Sequence, residues 1–120
     1  MSISSVEEFL SALCKNNVFS AAMAGFMREW GNDYPATILF STFGKTIADN
    51  FEGFMPDERM HLFLVVEDGM ESSDIHLRTY IATGLLEALY SRSQSLENWD
   101  ELSKLLGVAS KRYVNEWTAL

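Results

Sequence analysis

Pro56-Asp57-Glu58-Arg59-Met60-His61-Leu62-Phe63-Leu64-Val65-Val66-Glu67-Asp68 is the stretch on which the fold class turns. Its centre, Leu62 to Val66, is the longest strongly apolar run in the chain, and periodicity alone does not separate a buried strand from a buried helix there. The flank decides between them. Proline suits the first helical position, where its missing N–H has no intrahelical acceptor to lose, and Asp57 and Glu58 then face the positive end of the helix dipole. This start favours a helix over a strand for residues 60–66.

Toward the N-terminus the signals are clearer. Ser4 stands three residues before Glu7 and Ser5 three before Glu8, so either register supplies a capping box. Val6, Phe9, Leu10 and Leu13 follow at helical spacing, with Cys14 beside them. Asn16 and Asn17 offer a fresh cap for a second helix, about Val18 to Trp30, whose apolar stripe is Phe19, Ala22, Met23, Phe26 and Trp30. Gly31-Asn32-Asp33-Tyr34-Pro35 is the strongest turn, and a third helix is expected from about Pro35 to Asn50 with Ile38, Leu39, Phe43 and Ile47 inward. Gly44 inside it marks a close approach of another helix.

Toward the C-terminus, Gly69 and Ser72-Ser73-Asp74 end the element begun at Pro56 and cap a fifth helix. It is predicted from about Asp74 to Tyr90, with Ile75, Tyr80, Ile81, Leu85 and Leu89 buried. Ser91 to Ser95 reads as a polar linker. Ser95-Leu96-Glu97-Asn98-Trp99 opens a short sixth helix closed by Gly107, and Ser110 caps a last one carrying Tyr113, Val114 and Trp117. No repeat or low-complexity tract interrupts the pattern. The expectation is an all-α, single-domain irregular bundle of six or seven helices over residues 1–120, because each apolar stripe needs a neighbour to cover it.

At 120 residues, 48% of them hydrophobic and 12% aromatic, the chain is long enough to bury a core without a disulfide or metal staple. The single cysteine, Cys14, rules out an intrachain disulfide. No basic residue precedes Lys15 and two acids stand where a signal peptide would be apolar, so a cytoplasmic protein is expected. The net charge is −8, from 17 acids and 9 bases. That disfavours direct nucleic-acid binding and an acidic membrane surface, both of which need Lys and Arg against phosphate, and it favours a basic partner.

No catalytic constellation emerges. His61 and His76 lie beside Asp57 and Asp74 but do not form the paired spacing that sets metal ligands on one helical face. Cys14 lacks a neighbouring base to activate a thiolate and reads as a small apolar residue. Thr83-Gly84 sits in a helical pattern with no preceding strand, so it is no phosphate loop. The acid pairs Glu7-Glu8, Asp57-Glu58 and Glu67-Asp68 read as solvated helix surface, and Met23, Phe26, Met27 and Trp30 as core and not a ligand pocket. The expectation is a protein that is not an enzyme and carries neither cofactor nor metal.

One feature stands out from this background. Between residues 49 and 74 lie eight acids, Asp49, Glu52, Asp57, Glu58, Glu67, Asp68, Glu71 and Asp74, against a single base, Arg59. This 26-residue window therefore carries −7 of the molecule's −8. Charge serving only solubility would not be segregated in this way, so these eight residues are the candidate partner-binding set.

The chain also resembles small helical immunity proteins of bacterial contact-dependent growth-inhibition and related polymorphic toxin systems. The resemblance rests on Trp30 with Asp33-Tyr34-Pro35, on Leu39-Phe40 and Gly44, on Phe54, Pro56, Glu58, Phe63 and Glu67, and on Thr83-Gly84-Leu85-Leu86-Glu87. Its most distinctive part is Leu105-Leu106-Gly107-Val108-Ala109-Ser110, followed by Tyr113 and Trp117. It covers most of the chain from Trp30 onward. The resemblance implies a cytoplasmic protein that neutralises a cognate toxin, often a basic C-terminal nuclease domain that attacks transfer RNA, by covering its active or substrate-binding surface. It implies no site residues, because such proteins diverge greatly. The competing expectations are a helical adaptor or regulatory subunit without a toxin partner and, behind it, an enzyme whose dispersed residues assemble only in the fold.

Overall fold

Proline and acids do start a helix at residue 56. The computed structural model describes residues 2–120, and among these there is no strand. The elements are α1 (Val6–Leu13), α2 (Asn17–Trp30), α3 (Ala36–Asn50), a 3-10 turn (Phe51–Gly53), α4 (Pro56–Met70), α5 (Ile75–Thr79), a π-helical segment (Tyr80–Leu86), α6 (Glu87–Ser95), α7 (Trp99–Ser103) and α8 (Val108–Thr118). The run from α5 through the π segment to α6 is unbroken. The described chain is therefore an irregular all-α bundle of seven helical rods.

Local chemistry explains most of the boundaries. The Ser5 hydroxyl accepts the Glu8 N–H at 3.1 Å while the Glu8 carboxylate accepts the Ser4 N–H at 3.1 Å, which satisfies two donors at the start of α1. Asn16 caps α2 by accepting the Val18 N–H at 2.9 Å. Gly31, with φ of +74°, turns the chain at the end of α2.

α3 runs through the centre and packs most extensively on the π segment and α6, with α2 on another side. Phe9 stacks on Phe40 at 5.4 Å, Phe19 meets Phe43 edge-on at 5.7 Å, and Phe51 meets Phe63 edge-on at 6.3 Å. Phe9, Phe19, Phe40, Phe43 and Phe51 are fully buried, each contributing roughly 1.5–3 kcal/mol relative to exposure. The close approach expected at Gly44 is present: a Cβ there would lie 2.2 Å from the Leu85 carbonyl oxygen. Gly84 answers it from the other helix, where a Cβ would lie 2.8 Å from Phe40 Cβ and 2.9 Å from the Thr37 oxygen. Two glycines thus let α3 and the π segment touch backbone to backbone.

The π segment has a cause in the sequence. Leu77, Ile81, Leu85, Leu89 and Ser93 are all buried, a strict four-residue repeat. At 3.6 residues per turn such a repeat drifts about 40° per step, or about 160° from Leu77 to Ser93, wider than one buried face of roughly 100°. Wider π turns absorb the drift and keep the stripe on α3. This also revises two expectations. Ile75 is 61% exposed, because Leu77 begins the buried repeat in its place. Residues 91–95 continue the helix instead of forming a linker, since the buried Ser93 hydroxyl donates to the Leu89 carbonyl at 2.7 Å and so needs no solvent.

Three further differences concern single positions. Ile38 is exposed because Phe40, not Ile38, joins Leu39 and Phe43 inside. Trp30 is exposed at the end of α2, stacked on Phe26 at 5.9 Å. Ser110 does not cap α8. Gly107 occupies that position, and Ser110 is buried in the first turn.

Candidate functional site

The eight acids of residues 49–74 part into two groups. Four are engaged within the fold. Asp49 pairs with Arg92 through two bonds of 2.7 and 3.0 Å, the one ion pair among the described residues. That hydrogen bond, and the charge behind it, raise the Arg92 pKa. Glu58 accepts the Met55 N–H and the Asn16 amide, each at 2.8 Å, closing the start of α4 onto the start of α2. Asp74 caps α5 through the His76 N–H at 2.9 Å.

Glu67 is the most heavily engaged. Its carboxylate accepts the Ala109 N–H at 2.7 Å, the Ser110 N–H at 3.0 Å and the Ser110 hydroxyl at 2.8 Å. A carboxylate from α4 thus caps α8, and the free N–H groups and dipole of that helix end stabilise its charge. Gly107 makes room for it, because a Cβ there would lie 2.3 Å from Glu67 Cδ.

The other four acids have no such role. Glu52, Asp57 and Glu71 are exposed and their carboxylates bond nothing among the described residues. Asp68 is half-buried, and its Oδ2 is enclosed without a hydrogen-bond partner among the described residues. The single base of the window does not offset them. The Arg59 guanidinium donates to the Phe51 and Glu52 carbonyls at 2.9 and 3.3 Å and lies 4.2 Å over the Phe51 ring.

Helical geometry brings three of these four acids onto one face. Residues 57, 60, 61, 64, 68 and 71 fall within about 100° of one another around α4, over roughly 21 Å of its length. Asp57, Asp68 and Glu71 are the charged members, while Met60 and Leu64, 67% and 54% exposed, are the apolar ones. Glu52 stands apart in the 3-10 turn. Lys15 borders the strip, sharing with Asp57 and His61 an open groove of about 290 Å³ between the α1–α2 turn and α4.

Sequence reasoning assigned Met60 to Val66 to a single buried unit and so missed Met60 and Leu64 as surface residues. Placing the run on a helical wheel with Asp57, Asp68 and Glu71 is the signal that separates them. Elsewhere, burial pushes the Cys14 thiol pKa up, which disfavours the thiolate. Among the described residues no three His, Cys, Asp or Glu side chains gather to hold a metal ion. No helix of these residues is long and apolar enough to cross a membrane.

The fold and this surface define an all-helical domain with an acidic, partly apolar helix face. Residues 15–119 match the family model DUF7674, described as a domain of unknown function, and the chain belongs to that family. No curated protein and no solved structure matches it.

Proposed function

We propose that this protein is a cytoplasmic immunity protein that binds a basic toxin domain, of nuclease type, and neutralises it by covering its active or substrate-binding surface. It acts by binding and not by catalysis. The observation that carries this reading is the uncompensated charge of residues 49–74. After the internal contacts of Asp49, Glu58, Glu67 and Asp74 are accounted for, Glu52, Asp57 and Glu71 remain exposed, and the window's only base is held by carbonyls. Such a surface speeds encounter with a basic protein and competes for the groups that would otherwise hold nucleic-acid phosphates. The transfer-RNA target belongs to the resemblance alone.

The test is growth protection. The proposal expects a toxin domain in a neighbouring gene, and that domain is induced in cells with and without this chain. Rescue by the chain together with an isolable complex is the expected result. A complex-free culture that dies at the same rate with or without the chain contradicts the proposal.

A further inference from the structure

α4 is an unusual surface helix because it is apolar on both sides. Leu62, Phe63, Val65, Val66 and Gly69 face the core, yet Met60 and Leu64 face solvent on the opposite side. A helix with one buried face normally turns charged or polar groups outward, and one that is apolar all round is normally covered all round. Met55, one residue before α4, is also largely exposed, and Val108 is exposed beside the Ala109 N–H that Glu67 holds. The side chains that flank Met60 and Leu64 on α4 are of one sign, Asp57, Asp68 and Glu71, with only His61 among them. Apolar centre and charged rim are the arrangement of a protein interface.

Resting on the binding function proposed above, the geometry points to the outward face of α4 as the docking surface for a basic amphipathic helix of the partner, with Met60 and Leu64 as its apolar anchors. Charge selects this occupant. A second copy of the chain docked face to face would set Asp57, Asp68 and Glu71 against their own equivalents, and like charges across an interface oppose pairing. A helix that places Leu over Met60 and Leu64 and Lys or Arg beyond them meets opposite charge at each end of the strip, Asp57 at one and Asp68 and Glu71 at the other. The strip's length of about 21 Å corresponds to roughly 14 residues of such a helix.

An 18-residue Leu/Lys peptide with helical spacing is a direct probe, with a Leu/Glu peptide of the same pattern as control. Each is titrated at low salt into the isotopically labelled full chain while backbone amide shifts are followed. The Leu/Lys peptide is expected to shift amides along α4 from Asp57 to Glu71, and the Leu/Glu peptide to shift none. Leu64→Lys and, separately, Glu71→Lys each weaken the Leu/Lys peptide at least tenfold, whereas Glu97→Lys, on another helix connection, changes affinity less than twofold. Glu71 is exposed and follows the last residue of α4, so its variant tests the face even if Leu64→Lys loses stability.

Shifts centred on other helices overturn the inference, as does unchanged affinity in both α4 variants. A dimer seen in sedimentation that Leu64→Lys converts to a monomer also overturns it, since the face then serves a second copy. The outcomes separate this surface from the broader function. Peptide binding at α4 without toxin rescue removes the immunity reading and leaves the surface. Rescue by wild type and by both α4 variants alike does the reverse.

Discussion

Glu67 and Asp68 are neighbours in sequence, yet one carboxylate is bonded throughout and the other holds an enclosed oxygen without a partner among the described residues. Glu67 supplies three hydrogen bonds to the first turn of α8. Glu67→Ala is expected to lower unfolding free energy by about 2 kcal/mol, the range for hydrogen bonds to a charged group. Gly107→Ala pushes the same carboxylate away, so a double-mutant cycle in urea should show Gly107→Ala costing less once Glu67 is already Ala. Asp68 instead holds an enclosed oxygen with no partner among the described residues. Asp68→Ala should raise unfolding free energy by about 1 kcal/mol while weakening the basic partner, and a loss of stability instead shows that Asp68 has a structural role. Tyr113 adds a pH signature. Its hydroxyl is hydrogen-bonded to Glu87, and burial first, then that bond and the Glu87 charge, push its pKa up to about 12. The unfolded value is about 10. The folded chain thus holds this proton more tightly, so the contribution is intact below pH 10 and is lost as pH rises from there through 12. The stability gap between wild type and Tyr113→Phe, about 1 kcal/mol at neutral pH, should close over that interval in denaturant titrations.

Among the elements, the crossing of α3 with the π segment is the tightest contact. Gly44→Ala inserts a methyl 2.2 Å from a backbone oxygen that no rotamer change relieves, and should cost at least about 2 kcal/mol. Gly53→Ala, with nothing within 4 Å, should change stability by less than about 1 kcal/mol in the same assay. A Gly44→Ala protein as stable as wild type contradicts the packing described. Gly44 was legible in the sequence because a glycine inside a long apolar pattern has few other uses, and the caps at Ser5 and Asn16 were legible because their bonds are local. The continuation of α6 through residues 91–95 was not. Serines there read as a linker, whereas Ser93 is buried by bonding back to its own helix. The four-residue repeat from Leu77 to Ser93 was present to be read, but only if a turn wider than α is admitted. Leu64 was hidden for a different reason. Inside Leu-Phe-Leu-Val-Val every residue looks like core, and only the phase of the whole helix shows which one faces out. Glu67 was hidden because its partners lie more than forty residues away, beyond any local pattern.

At the level of the whole molecule, charge outside residues 49–74 is nearly balanced, and the excess acids lie within that window, where Asp57, Asp68 and Glu71 share one face of α4. Composition alone located that window but could not divide it, since a carboxylate that caps a helix and one that faces solvent are the same letter in the sequence. Folding divides it and adds the apolar residues that charge counting ignores. The measurement that bears most directly on the binding proposal is the association rate of this chain with the basic toxin domain proposed as its partner, taken from about 50 to 500 mM salt. Steered association falls steeply with ionic strength, because screening shortens the reach of exposed charges. The wild-type rate should drop at least tenfold across that range, and a variant carrying Asp57→Lys and Glu71→Lys should associate slowly at low salt with little further change. A wild-type rate that is flat with salt, or a variant that matches wild type throughout, would contradict binding through the acidic face of α4.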